Sequence, residues 1–215
     1  MNQRLLRLAV GTLIGLLIAA GIVWWQISSL PTGSSSGTTT GTALIGGPFS
    51  LTDQTGKAVT DADYRGRYML IYFGFTFCPD VCPTELQVMA TALDQLGSQA
   101  DQVQPLFITV DPERDTPSQL AGYVSQFHPR MAGLTGTPEQ IAAAERAAKV
   151  AGSVRLPEDQ SSGNSEYDVG HAAQIVAYTP DDLAHVVYPF GTRAADWAAD
   201  LPRLLDEEWP QESAS

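Results

Sequence analysis

Apolar and polar positions divide the chain into blocks with different periods. From Leu8 to Trp25 no residue is charged and most are Leu, Ile, Ala, Val or Gly. A run of that length crosses a bilayer as one helix, with Trp24 and Trp25 suited to the interface, so residues 8–27 are expected to be a membrane anchor after a short basic segment, 1–7. Residues 28–46 are rich in Ser, Thr and Gly and read as a flexible linker. Beyond them the pattern becomes that of a folded domain, placed at 47–209, with a disordered tail at 210–215.

Within the domain, Pro48 to Thr52 reads as a short strand and Asp53 to Lys57 as its hairpin turn. Tyr68 to Phe75 is an unbroken apolar run, the mark of a central buried strand. Helical spacing follows at Leu86, Met89, Leu93 and Leu96, with Gly97 as a stop. Val103 to Val110 is a second buried strand. Thr116-Pro117 and Thr137-Pro138 each place a capping hydroxyl before a proline, opening helices expected to reach Phe127 and Ala151, the latter ended by Gly152. Arg155 to Gly170 is a long polar excursion. Ala173 to Tyr178 and Leu183 to Tyr188 form a hairpin, and a last helix starts near Thr192, broken around Pro202. This order predicts an α/β domain of thioredoxin-like plan, a mixed sheet with helices on both faces.

The chain carries 12 basic against 24 acidic residues, a formal charge of −12. Nucleic-acid phosphates demand a basic face, so this class of partner is excluded. Arg4 and Arg7 hold the N-terminal end of the apolar run in the cytoplasm and put the domain outside. A cleaved signal peptide, with Ala19-Ala20-Gly21 as the small-residue cluster, is the alternative. With no Arg- and Ser-rich leader, the expected location is a bacterial inner membrane, single-pass, with the domain on the periplasmic side.

Both cysteines, Cys78 and Cys82, fall where the central strand gives way to the first helix. Pro79 and Pro83 bias the residues before them away from helical geometry, so Cys78 to Cys82 is expected to be a tight loop. Pro83 then takes the first helical position and Cys82 the N-cap, where unpaired N–H groups favour a thiolate. A plain disulfide is the bland alternative. A bridge over so short a loop stabilises little, however, and serves better as a reversible switch or a pair of soft-metal ligands. Of the three histidines, His185 reads as a strand residue and His128 as a cation at a helix end. His171 follows the polar excursion at a strand mouth, and the residues alone leave its role open. A closed zinc site would need four ligands.

The stretch Phe75-Thr76-Phe77-Cys78-Pro79-Asp80-Val81-Cys82-Pro83-Thr84-Glu85-Leu86 resembles the signature of the Sco/SenC family, membrane-anchored thioredoxin-like copper chaperones of cytochrome c oxidase assembly. Ile108 to Pro117 and Asp168-Val169-Gly170-His171 match further family segments. The resemblance implies that Cys78, Cys82 and His171 bind copper, as Cu(I) or Cu(II). It implies the copper-site subunit of cytochrome c oxidase as partner, with other periplasmic copper chaperones or thiol reductants beside it. Gly170 departs from the family's usual Asp before the histidine, and Asp168 is the carboxylate that would stand in. The alternative function is a thiol–disulfide oxidoreductase in which Cys78 and Cys82 are the catalytic redox pair and reduce a partner's copper-ligand cysteines. A third, peroxide reduction, rests on fold analogy.

Overall fold

The computed structural model describes residues 46–156 and 167–206. The expected anchor at 8–27, the linker at 28–46 except its last residue, and the tail at 210–215 lie outside the described residues. Among the described residues no helix is long and apolar enough to cross a membrane.

Two apolar runs make the centre of the sheet. Strands β3 (Tyr68–Gly74) and β4 (Val103–Thr109) are buried along their whole length. They pair in parallel from Tyr68 opposite Val103 to Gly74 opposite Thr109. Continuous apolar sequence without alternation is what strands covered on both faces require. Helix α1 (Val81–Leu96) joins them and buries Cys82, Leu86, Met89, Leu93 and Leu96, one stripe of alternating four- and three-residue steps. Gly97, at φ 56°, stops it as expected.

The sequence pattern misses β5 (Ala132–Thr135), which pairs in parallel with β4 and antiparallel with β1 (Ser50–Asp53). Four residues with a glycine among them carry almost no period-two signal. The strand exists because its neighbours recruit it. A Cβ on Gly133 would stand 3.0 Å from Leu120 Cβ, so the glycine lets helix α2 (Pro117–Val124) lie close against the sheet.

The remaining elements are β2 (Ala58–Thr60), α3 (Pro138–Ala147), the two-residue strands β6 (Val154–Arg155) and β7 (Val169–Gly170), β8 (Ile175–Tyr178), β9 (Ala184–Tyr188) and α4 (Ala194–Asp206). The main sheet runs β2-β1-β5-β4-β3-β8-β9, mixed in direction, a thioredoxin-like α/β fold. Helix α2 ends at Val124 rather than Phe127, and two other helices also differ from expectation. Helix α3 stops at Ala147, where Lys149 turns into the left-handed region, so Gly152 is not its terminator. Helix α4 runs through Pro202 without a break, because buried Trp197 and Leu201 before it and half-buried Leu204 and Leu205 after it pack against the core.

Two features bring the C-terminal rim of the sheet to order. Strand β8 pairs antiparallel with β3, Ile175 opposite Tyr72 and Tyr178 opposite Met69. Asp115, fully buried, accepts hydrogen bonds from Thr76 N at 2.9 Å, Thr76 Oγ1 at 2.6 Å and Thr109 Oγ1 at 2.6 Å. One carboxylate thus ties the loop after β3 to the end of β4. Burial pushes this carboxyl above its ordinary range, against the pull of those hydrogen bonds. Asp115→Ala orphans the Thr76 N–H and is expected to cost about 1–3 kcal/mol in chemical denaturation, with Asp115→Asn, whose carbonyl still accepts, costing less. Equal losses for the two would refute the hydrogen-bond account.

Candidate metal centre

The cysteine loop begins where Gly74 ends β3. A Cβ at residue 74 would lie 2.9 Å from Cys82 Sγ and 2.8 Å from Phe107 Cε2, so only a glycine allows this sulfur to sit against the strand end. The chain then turns through Phe75 and Thr76, with Cys78 N donating to Phe75 O at 3.2 Å. Helix α1 starts at Val81 with Asp80 as its N-cap, two residues earlier than the prolines suggest. Pro83 still falls in the first turn, where an N–H has no intrahelical partner and its loss is free. Cys82 is therefore inside the helix rather than at its cap. Its free N–H points at Cys78 Sγ, 3.4 Å away.

This geometry reverses the expected roles of the two thiols. Cys78 is half-buried and its pKa is pulled down to about 3. The Cys82 thiol donates to it, burial opposes, and His171 and the N–H groups of Cys82 and Asp80 add to the pull. Cys82 is fully buried, and its proton is held by the Cys78 sulfur and by desolvation, so its pKa rises. The hydroxyl of Tyr72, two residues before Gly74 on the same strand, donates to Cys82 Sγ at 3.6 Å. Helix N-termini stabilise thiolates, as expected from the sequence, but the beneficiary is the first cysteine and not the second.

His171 reaches the same point from the other side of β3. It lies between β7 and β8, and the Tyr72–Ile175 register sets its height. Its Nδ1 is 2.9 Å from Ala172 O. A carbonyl only accepts, so Nδ1 carries a proton and, in the neutral ring, Nε2 presents its lone pair to Cys82 Sγ at 3.5 Å. Tyr72 and Phe75 meet the imidazole edge-on, with centroids 6.1 and 5.7 Å away. Burial pulls its pKa down, but the Cys78 sulfur and the carbonyls of Ala172 and Phe73 outweigh it and the net direction is up.

The two sulfurs and the imidazole lie within 4.8 Å of one another, the one such cluster of His, Cys, Asp or Glu among the described residues. Cys78 and His171 face a cleft of about 290 Å³, with Pro79, Asp80 and Asp168 at its wall. Two thiolates and an imidazole suit a soft ion in three-fold coordination and fall one short of a closed zinc site.

The other candidates stand elsewhere. His128 Nδ1 accepts from Arg130 N at 3.2 Å, its Nε2 lies 3.7 Å from Asp94 Oδ1, and burial pulls its pKa below the ordinary value. His185 Nε2 pairs with Asp181 at 2.8 Å. Asp168 does not orient the imidazole: its Oδ1 accepts from Val169 N at 2.8 Å, and the Ala172 carbonyl takes that part. Asp80 caps α1 by position only, with no side-chain hydrogen bond. Tyr72 and Gly74 were not singled out by sequence, since every residue of β3 is buried and alternation gives no facing.

A family model described as SCO1/SenC matches residues 37–206. The bovine protein SCO2 homolog, mitochondrial, is 48% identical over 164 residues, covering 75% of this chain and 60% of that protein. The human protein SCO1 homolog, mitochondrial, is 46% identical over 143 residues, covering 66% of this chain and 46% of that protein. The chain thus spans about half to three fifths of the length of these relatives. Solved structures of ScoI with copper bound, from Arabidopsis thaliana and Bradyrhizobium japonicum, are 37% and 41% identical with TM-scores of 0.69 and 0.67. They cover 75% and 74% of this chain, and 98% and 99% of their own.

The inverted thiol roles have a direct readout in the reduced, metal-free chain. Alkylation of Cys78 is expected to stay flat from about pH 8 to about pH 5, where an ordinary thiol of pKa about 8.5 slows tenfold per unit. Cys82 should remain unmodified throughout. A Cys78 profile that follows the ordinary thiol would overturn the assignment.

Proposed function

The chain belongs to the SCO1/SenC family, and from that premise we propose that it is a copper-binding protein of cytochrome c oxidase assembly that uses Cys78, Cys82 and His171 as ligands. The observation that carries the proposal is the convergence of two sulfurs and one bare imidazole nitrogen within 4.8 Å. Copper is the metal this donor set suits, because thiolates select Cu(I) and imidazole is accepted by both oxidation states. It is cargo, taken up and passed to the copper-site subunit of the oxidase. A membrane anchor at 8–27 and a linker at 28–46 would keep the 47–209 domain near that subunit at high effective concentration, on the periplasmic side of a bacterial inner membrane.

The residues divide the work. Cys78 offers a ready thiolate at the cleft. Cys82 gives up its proton when the cation arrives, and the Tyr72 hydroxyl keeps a hydrogen bond to its sulfur. His171 must be neutral to bind through Nε2, and the Ala172 carbonyl holds the ring in that orientation. Uptake near neutral pH therefore releases one proton from Cys82, and a second wherever His171 is protonated. Since His171 is shifted upward, affinity falls as pH falls, and the slope steepens from one proton to two below the ring's pKa.

The same asymmetry favours a second reading, thiol–disulfide exchange with a partner's copper-ligand cysteines. The Cys78 thiolate attacks the partner disulfide, one partner sulfur leaves as thiolate, and a mixed disulfide forms. Cys82 then loses its proton and attacks Cys78 Sγ, releasing the second partner thiol. Two electrons pass to the partner, and Cys78–Cys82 becomes a disulfide.

Metal analysis of the reduced full-length chain under anaerobic conditions tests both readings. The parent is expected to hold about one copper, and Cys78→Ser and Cys82→Ser near none, as a soft-donor site requires. His171→Ala should weaken copper binding strongly and leave dithiol exchange near the parent rate. Copper retained by both serine variants would remove the copper reading, and equal loss of both activities in His171→Ala would remove the separation. Titration from about pH 8 to about pH 6 should show affinity falling by at least tenfold per unit.

A further inference from the structure

His171 has only one firm support within the sheet. On its C-terminal side, residues 172–174 run without regular structure before Ile175 pairs with Tyr72. On its N-terminal side the segment is gripped by Asp111 and Arg114, which belong to the loop after β4. Tyr167 donates its hydroxyl to Asp111 Oδ1 at 2.6 Å. Arg114 Nη1 donates to Tyr167 O at 3.0 Å, and the guanidinium carbon lies 3.8 Å from the Tyr167 ring centroid.

The same guanidinium reaches the cysteine loop. It lies 4.8 Å from the ring of Phe77, the residue before Cys78, and 5.7 Å from that of Phe75, whose ring in turn meets His171. An arginine serving only to neutralise Asp111 would stop at the bond from its Nε to Asp111 Oδ2. This one also donates Nη1 to Tyr167 O and sets its planar face against rings on two loops that carry different donors. From Tyr167 the grip passes down a short strand, where Val169 pairs with Arg155 and Gly170 with Val154, directly to His171.

We propose that Arg114, held between Phe77 and Tyr167, is a positioning residue that fixes the His171 arm against the Cys78 loop and so sets the third copper ligand. The proposal rests on the copper reading above. It assigns a purpose to the Asp111–Asp115 stretch beyond leading into α2: Asp115 fixes the cysteine loop, while Asp111 and Arg114 fix the histidine arm to it. Outer-shell partners of a ligand are typically worth 10- to 100-fold in metal affinity, and Arg114→Met is expected to lose about that much. Arg114→Lys should not restore it, because an ammonium has neither the fork nor the stacking plane.

The test is a double-mutant cycle on the full chain, with Cu(I) affinity read by competition against a chelator. If Arg114 acts through His171, Arg114→Met costs about 10- to 100-fold in the parent and under about twofold in a His171→Ala background. Tyr167→Leu removes the grip from the arm side and should repeat this pattern. In the metal-free chain, nitrogen NMR of the His171 ring should show one Nδ1–H tautomer in the parent and an averaged ring in Arg114→Met. Equal affinity losses in both backgrounds, no loss in the parent, or an unchanged ring signal would each overturn the proposal. A parent that binds no copper would instead remove the reading on which it rests.

Discussion

The antiparallel pairing of Tyr72 with Ile175 sets two distant parts of the chain at one height along the sheet. Gly74 ends β3 two residues beyond Tyr72, and His171 precedes Ile175 by four, so both segments run past the same rim. A slip of one residue would move the histidine by about 3.4 Å and turn it to the opposite face. That displacement exceeds a metal–sulfur bond of about 2.3 Å, so no side-chain adjustment would absorb it. Complete burial of β3 and β8 opposes the slip, since it would bring differently shaped side chains into both close-packed faces. The apolar run read most easily in the sequence is thus also the element on which the ligand geometry depends.

Charge explains why the two sulfurs differ. Two thiolates within 4.8 Å of each other repel by about 3–4 kcal/mol or more at an effective dielectric of about 20, and one of these sulfurs is fully buried. The metal-free site relieves this by keeping the buried Cys82 sulfur protonated, its pKa raised, while Cys78, whose pKa is lowered, takes the charge. The helix N-terminus and the imidazole both act on the sulfur nearer the cleft, so the negative charge settles there. A soft cation between the sulfurs would offset the same repulsion. The pair is equally ready for a disulfide partner, because an accessible thiolate and a buried thiol are the attacking and resolving halves of an exchange.

Much of this plan is legible in the sequence, for identifiable reasons. Strands β3 and β4, helix α1 and the Thr116 and Thr137 caps follow from local signals that tertiary structure reinforces. The proximity of Cys78 and Cys82 follows from their spacing. Strand β5 is not legible, because its reason for existing lies in β4, β1 and Leu120 and not in its own four residues. Nor is the identity of the thiolate, which turned on a helix start shifted by two residues. Pro83 tolerates any place in a first turn, so it marks that turn without marking its first residue. Arg114, Asp111 and Tyr167 act across more than fifty residues, and no local pattern couples them.

Gly170 illustrates how a backbone group substitutes for a side chain. The family resemblance leads one to look for a carboxylate beside the histidine, and Asp168 is the nearest. It is turned to Val169 N, and the imidazole is oriented by the Ala172 carbonyl. Space is not the reason: a Cβ on Gly170 would meet Leu156 Cδ2 and Val154 O at 3.7 Å, ordinary contact distance. What the carbonyl changes is charge. It fixes the ring as a carboxylate would but adds no full negative charge beside two sulfurs. Cu(I) bound by two thiolates and an imidazole leaves one net negative charge; a neighbouring carboxylate would leave two and favour the more highly charged ion. With a neutral acceptor, the donor set carries only the charge of its two sulfurs.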